Sequence, residues 1–165
     1  MGEGRIYYTE ENGSYYLKLT GDVRVTLCTG LSRYINKIFD TENITSVIVD
    51  LDDAKAVDST TLGLLAKVAL HVIKQENIKP MIIIRDPSML RLVEGMGFDE
   101  IFEVVGDVPD TPSKLKVLPC TKAPTDDARA QVIESHKTLM SMNKKNMNTF
   151  SELVTALERE ADSNA

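Results

Sequence analysis

The chain has 165 residues, 42% of them hydrophobic and 27% charged, enough for one globular domain of about 100 to 150 residues plus an appendage. Net charge is −6, a field that repels phosphate backbones and anionic membranes, so nucleic acid and membrane are not expected partners. Of 25 acids and 19 bases, residues 1–106 hold 16 and 11, which places any charge steering in that first part. Cys28 and Cys120 are too few for a disulfide framework or a zinc site. No apolar run reaches membrane-spanning length and no signal segment opens the chain, which predicts a cytoplasmic location.

Tyr7-Tyr8 and Tyr15–Leu19 flank the turn signal Glu11-Asn12-Gly13-Ser14 and predict an opening hairpin. After Thr29 or Gly30, Leu31, Tyr34, Ile35, Ile38 and Phe39 recur at spacings of three and four, the mark of an amphipathic helix. Ser46–Leu51 is a short β-branched run suited to a strand covered on both faces. From Ser59 to about Glu76, Leu62, Leu65, Ala66, Ala69, Leu70 and Ile73 form the stripe of a deeply packed helix. Met81–Ile84 reads as a second buried strand. Pro87-Ser88 opens a third helix carrying Leu90, Leu92 and Val93, and a last strand is expected around Ile101–Val105. Alternating strands and helices predict right-handed parallel crossovers and an α/β layer sandwich, with a mixed sheet of about four to five strands.

Residues 107–124 read as a proline-rich linker, extended across the domain, because Pro109, Pro112, Pro119 and Pro124 interrupt any helix. Residues 125–162 read as an amphipathic helical tail with Thr125 as cap and Asp126-Asp127 in its first turn. Its stripe includes Val132, Ile133, Leu139, Phe150, Val154 and Leu157, and Asn143–Asn146 is a point where it could divide in two. The stripe is equally suited to docking on the chain's own domain and to meeting a partner.

The segment that carries chemistry runs from Val49 to Ala66: a buried strand, an acidic loop with Asp50, Asp52, Asp53 and Asp58, and a hydroxyl cluster opening a helix. A Ser at a helix N-terminus is expected to be exposed, and a phosphate on it would meet free backbone N–H groups and a favourable dipole. The plain alternative is that Ser59, Thr60 and Thr61 cap the helix. A calcium loop counted from Asp50 would place Lys55 and Thr61 where Gly and Glu are needed, and a phospho-aspartate receiver wants an acidic pair where Asp22 stands alone. His71 and His136 have no ligand or catalytic neighbour in sequence, and each reads as structural or surface. With no nucleophile elbow, Walker loop or dinucleotide fingerprint, the chain is expected to be no enzyme and to use no cofactor.

Asp58-Ser59-Thr60-Thr61-Leu62-Gly63, after a buried strand and before a long apolar helix, resembles the Asp-Ser-Ser/Thr-Gly-Leu-Gly motif of the anti-sigma factor antagonist family, the STAS domains. The resemblance covers about residues 5–106. It departs at Thr61, where the family usually has Gly, and at Gly21-Asp22-Val23-Arg24, where a second acid is usual. That segment and the tail look more like a proteobacterial subgroup linked to motility and biofilm control. The resemblance implies a protein-binding switch in transcription regulation. Unphosphorylated, it would bind an anti-sigma factor or similar regulator; a serine kinase would turn it off at Ser59 and a PP2C-type phosphatase would restore it. Thr60 is the second candidate acceptor, and Asp22, Asp52, Asp53, Asp58, Thr61, Leu62 and Gly63 are the candidate partner contacts. The expected state is a monomer or weak dimer. Two alternatives are a STAS subunit regulating a transporter or second-messenger enzyme, and a small metal-dependent α/β enzyme using the acidic loop.

Overall fold

The computed structural model of the chain describes residues 4–24, 29–106, 112–119 and 124–163. Cys28 and Cys120 lie outside the described residues. Strand β1 (Arg5–Glu11) turns through Asn12 and Gly13, both at positive φ (52° and 84°), into the antiparallel β2 (Ser14–Val23). Two consecutive left-handed residues make the hairpin turn whose twist matches that of its strands, and Asn-Gly is the pair that adopts it most readily.

From β2 the sheet continues in parallel through β3 (Ser46–Asp50), β5 (Met81–Ile83) and β6 (Glu103–Val105). Two short strands extend it beyond the five expected. Strand β4 (Ala54–Val57) pairs with the end of β2 beyond a register shift at Gly21/Asp22. Strand β7 (Lys116–Val117) adds to the far edge beside Tyr7 and Tyr8. The order is β6-β5-β3-β2-β1-β7, so the segment after β6 passes from one edge of the sheet to the other. The expected linker is therefore partly sheet: its prolines end helices, yet Lys116 and Val117 still pair with an open edge.

Helices α1 (Thr29–Phe39), α2 (Ser59–Glu76), α3 (Pro87–Gly95) and the single turn α4 (Phe98–Ile101) connect the strands. The turn of α4 takes Ile101 out of the expected last strand. Alternate residues of β2, Tyr15, Leu17 and Leu19, join Val47, Val49 and Ile82 in a core with Leu31, Ile35 and Ile38 of α1 and Leu62, Leu65, Val68, Ala69 and Val72 of α2. Burial of each large aliphatic side chain contributes about 1.5–3 kcal/mol. Leu92, named with Leu90 and Val93 among the apolar residues of the third helix, is 39% exposed.

The tail is a helical hairpin of α5 (Thr125–Met142) and α6 (Lys144–Ser163), broken at Asn143, whose backbone is extended. The Asn143 Oδ1 accepts from Asn146 N–H at 2.8 Å and so caps α6. Thr125 does not cap α5: it lies inside the first turn, and Pro124 stands at the cap position without a side-chain hydrogen bond. The hairpin packs on its own domain, chiefly through α5 against α2. At its other end, Asn146 Nδ2 donates to the carbonyls of Met96 and Leu139, both at 2.9 Å. No helix among the described residues is long and apolar enough to cross a membrane.

Candidate functional site

Strand β3 ends at Asp50, which is 1% exposed. Its carboxylate accepts from the Tyr16 hydroxyl and from Asp52 N–H at 2.9 Å, with Lys18 Nζ 3.9 Å away. Lys18 also pairs with Asp53 at 2.8 Å, and Arg85 pairs with Asp52 at 3.3 Å. The hydrogen bond to Asp53 raises the Lys18 pKa above its ordinary value, and the reciprocal bond from Lys18 lowers that of Asp53. The acidic loop is thus a set of carboxylates fastened by Tyr16, Lys18 and Arg85, rather than a free patch of negative charge. No cluster of three or more metal-ligating side chains occurs among the described residues.

After β4 the chain enters α2 through Asp58, whose backbone is extended and whose N–H donates to Val23 O at 3.3 Å. The Asp58 carboxylate accepts from Thr61 N–H at 2.8 Å. Asp58 is therefore the helix cap, and Ser59 is the first helical residue. The capping alternative for the hydroxyl cluster is overturned at Ser59, because the cap next to it is filled by an acid and its own hydroxyl is turned to another partner. Asp22 lies beside this turn, opposite Ala56 in the β2–β4 register, and is paired with Arg24 at 3.2 Å.

That partner is His136 of α5. Ser59 Oγ and His136 Nε2 are 2.7 Å apart, and His136 Nδ1 lies 2.7 Å from the Val132 carbonyl oxygen. A carbonyl only accepts, so Nδ1 carries a proton, and with the ring in its neutral form Nε2 is the acceptor and the Ser59 hydroxyl donates. The ring is 2% exposed and packs edge-on against Phe150 of α6, with centroids 4.8 Å apart. Ser59 is half-buried, not the open residue expected of a helix terminus, because α5 lies over it.

One turn on, Gly63 makes the close approach possible. A Cβ at this position would come within 2.7 Å of the Ser135 Cβ, so only glycine lets α5 lie this near α2. Ser135 is 2% exposed and its Oγ has no hydrogen-bond partner among the described residues, an omission that costs about 1–3 kcal/mol. At the next turn Lys67 pairs with Glu134. Of the other candidate contacts, Leu62 is wholly in the core and Thr61 is fully buried, and Thr60, the second candidate acceptor, is 5% exposed. The structure therefore brings Ser59 and Gly63 together under α5, with Asp58 beside Ser59 as the cap of α2, and places Asp52 and Asp53 in the separate ion-paired group.

The sequence reading of His136 as structural or surface holds on the structural side, but its bond to Ser59 was missed. No local pattern marks a residue 77 positions from Ser59, and only the docking of the tail joins them. A Ser–His hydrogen bond is half of a nucleophile–base couple. Here the ring is oriented by a backbone carbonyl and sealed by Phe150, and the cavity of about 360 Å³ between α1, α2 and α5 is lined by Ser32, Lys67 and Glu134 but by neither Ser59 nor His136. The geometry is that of a fastening between helices.

A family model described as the STAS domain matches residues 6–111. Among solved structures, the chain resembles the crystal structure of an anti-sigma factor antagonist from Mycobacterium paratuberculosis, with a TM-score of 0.53 and 16% identity, over 79% of this chain and 94% of that one. At that identity the likeness establishes a shared fold. No curated protein matches the chain.

Proposed function

Since this chain belongs to the STAS domain family, we propose that it is a phosphorylation-controlled protein-binding switch, an anti-sigma factor antagonist that binds an anti-sigma factor or equivalent regulator when unphosphorylated. A serine kinase turns it off at Ser59 and a PP2C-type phosphatase turns it on again. The protein acts in the cytoplasm, in transcription regulation tied to motility and biofilm formation, without cofactor or catalysis of its own. The observation that carries this reading is the release of the Ser59 hydroxyl from any capping duty: Asp58 caps α2, so Ser59 can be modified without unmaking the helix start.

A phosphate at this position adds about −1.5 to −2 charges beside the N-terminal turn of α2. The dipole of an 18-residue helix tolerates that charge, whereas a partner carrying apolar or acidic groups to the same turn does not. A like-charge clash or a buried phosphate at an interface costs several kcal/mol, which at about 1.4 kcal/mol per decade is a change of 10² or more in affinity.

The test is an affinity capture from native cytosol with wild type, Ser59→Ala and Ser59→Asp as baits. The expected result is a regulator held by Ser59→Ala and lost by Ser59→Asp, with phosphate on Ser59 of the wild-type protein. Identical captures by all three, with Ser59 unmodified, would contradict the switch.

A further inference from the structure

We propose that the outer face of α2, from Ser59 through Gly63 to Lys67, is a receiving surface for an amphipathic helix, and that the chain's own α5 is its resident, displaceable occupant. The inference rests on the switch reading for its biological use, though its physical basis is separate. The partner it fits is a helix of the same chemistry as α5: a small residue against Gly63, a hydrogen-bond acceptor one position later toward Ser59, and a carboxylate one position earlier toward Lys67.

Three observations carry it. The seat is shaped for a helix, because Gly63 lets a neighbouring backbone approach to where a Cβ would strike Ser135. It is polar where an integral core would be apolar: the buried residues of α5 are Ser135, His136 and Leu139, and two of these three are hydrophilic. Such composition is typical of surfaces that separate, and much less so of permanent cores. The fit is also incomplete, since Ser135 Oγ is buried at the contact with no partner among the described residues. A helix that satisfies that group, or replaces it by a methyl, competes on favourable terms.

The occupant and the switch share one hydrogen bond. With phosphate on Ser59, the hydroxyl no longer donates to His136 Nε2, and three phosphate oxygens need room that the ring, sealed by Phe150, now fills. The hairpin therefore leaves Ser59 before a kinase can reach it, and a partner helix enters only when α5 has gone.

The experiment uses the full chain in three forms: wild type, Ser135→Phe, which puts a bulky ring against Gly63, and Glu134→Lys/His136→Ala, which removes the polar fastenings without adding volume. Hydrogen–deuterium exchange reports the hairpin, and fluorescence anisotropy reports binding of a labelled synthetic peptide of residues 125–163. The expected result is exchange over residues 125–163 at least about tenfold faster in both variants, unchanged protection over β3, and peptide binding at least about tenfold tighter than to wild type. Adding Gly63→Val to Ser135→Phe should abolish that binding. If Ser135→Phe also loses protection in β3, the double variant decides. A hairpin that stays protected in both variants, or a released hairpin with peptide binding no better than wild type, overturns the proposal. Equal peptide binding with and without Ser59→Asp would leave the helix-receiving surface standing and sink the switch reading instead.

Discussion

The Ser59 hydroxyl donates a hydrogen bond to His136 Nε2 across 2.7 Å, joining the first residue of α2 to the middle of a tail helix 77 positions away. The relationship ties the proposed modification site to the segment that covers it. His136→Ala removes this bond and the contact with Phe150, so it should lower stability by about 1–3 kcal/mol in urea unfolding, where His136→Gln retains part of that loss. Unchanged stability in His136→Ala would show the bond to be incidental.

The division of labour between Asp58 and Ser59 predicts an asymmetry. Asp58→Ala removes the cap of α2 and should cost about 1 kcal/mol, roughly 2–4 °C in melting temperature for a chain of this size. Ser59→Ala leaves the cap in place and should cost less. Calorimetry on the two variants checks the order, and a larger loss in Ser59→Ala would reassign the cap.

Asp50 is a buried carboxylate held by named donors, and Tyr16 supplies one of them. Tyr16→Phe keeps the ring and removes the hydroxyl, leaving the acid short of a donor at a cost of about 1–3 kcal/mol. Tyr7→Phe, on the neighbouring strand β1, is the control, with an effect within about 0.5 kcal/mol in the same denaturation.

The Lys18–Asp53 pair sets a pH dependence at both extremes. The Asp53 pKa is lowered in the folded chain, so the stability it contributes is present above its ordinary value of 3.8 and is lost as pH falls through the lower folded value. The Lys18 pKa is raised, so its contribution is present below 10.5 and is lost as pH rises through the higher folded value. Asp53 is largely exposed, which holds the pair to less than about 1 kcal/mol. Asp53→Asn should flatten the acid limb of a stability–pH curve by that amount, and an unaltered limb would place the dependence elsewhere.

Much of the architecture was legible because its signals are local. The Asn12-Gly13 turn, the β-branched run of β3 and the three-and-four spacing in α2 each determine their element without help from the rest of the chain. Strands β4 and β7 were not legible: Ala54–Val57 has little β-forming character and Lys116–Val117 is two residues long, and both exist because β2 and β1 offer them an edge. At the site, the Asp58-Ser59-Thr60-Thr61 cluster contains four residues able to cap, and only the geometry of the turn selects Asp58. The link from Ser59 to His136 was illegible for a different reason. It depends on Gly63 admitting α5, a contact between residues whose separation in sequence carries no periodic signal.

The measurement that bears most directly on the central claim is the affinity of the captured regulator for the full chain with and without phosphate on Ser59, determined by titration calorimetry on homogeneous samples of each. The account predicts binding of the unmodified chain and a loss of about 10² or more in affinity on phosphorylation. Equal affinity in the two states would contradict it.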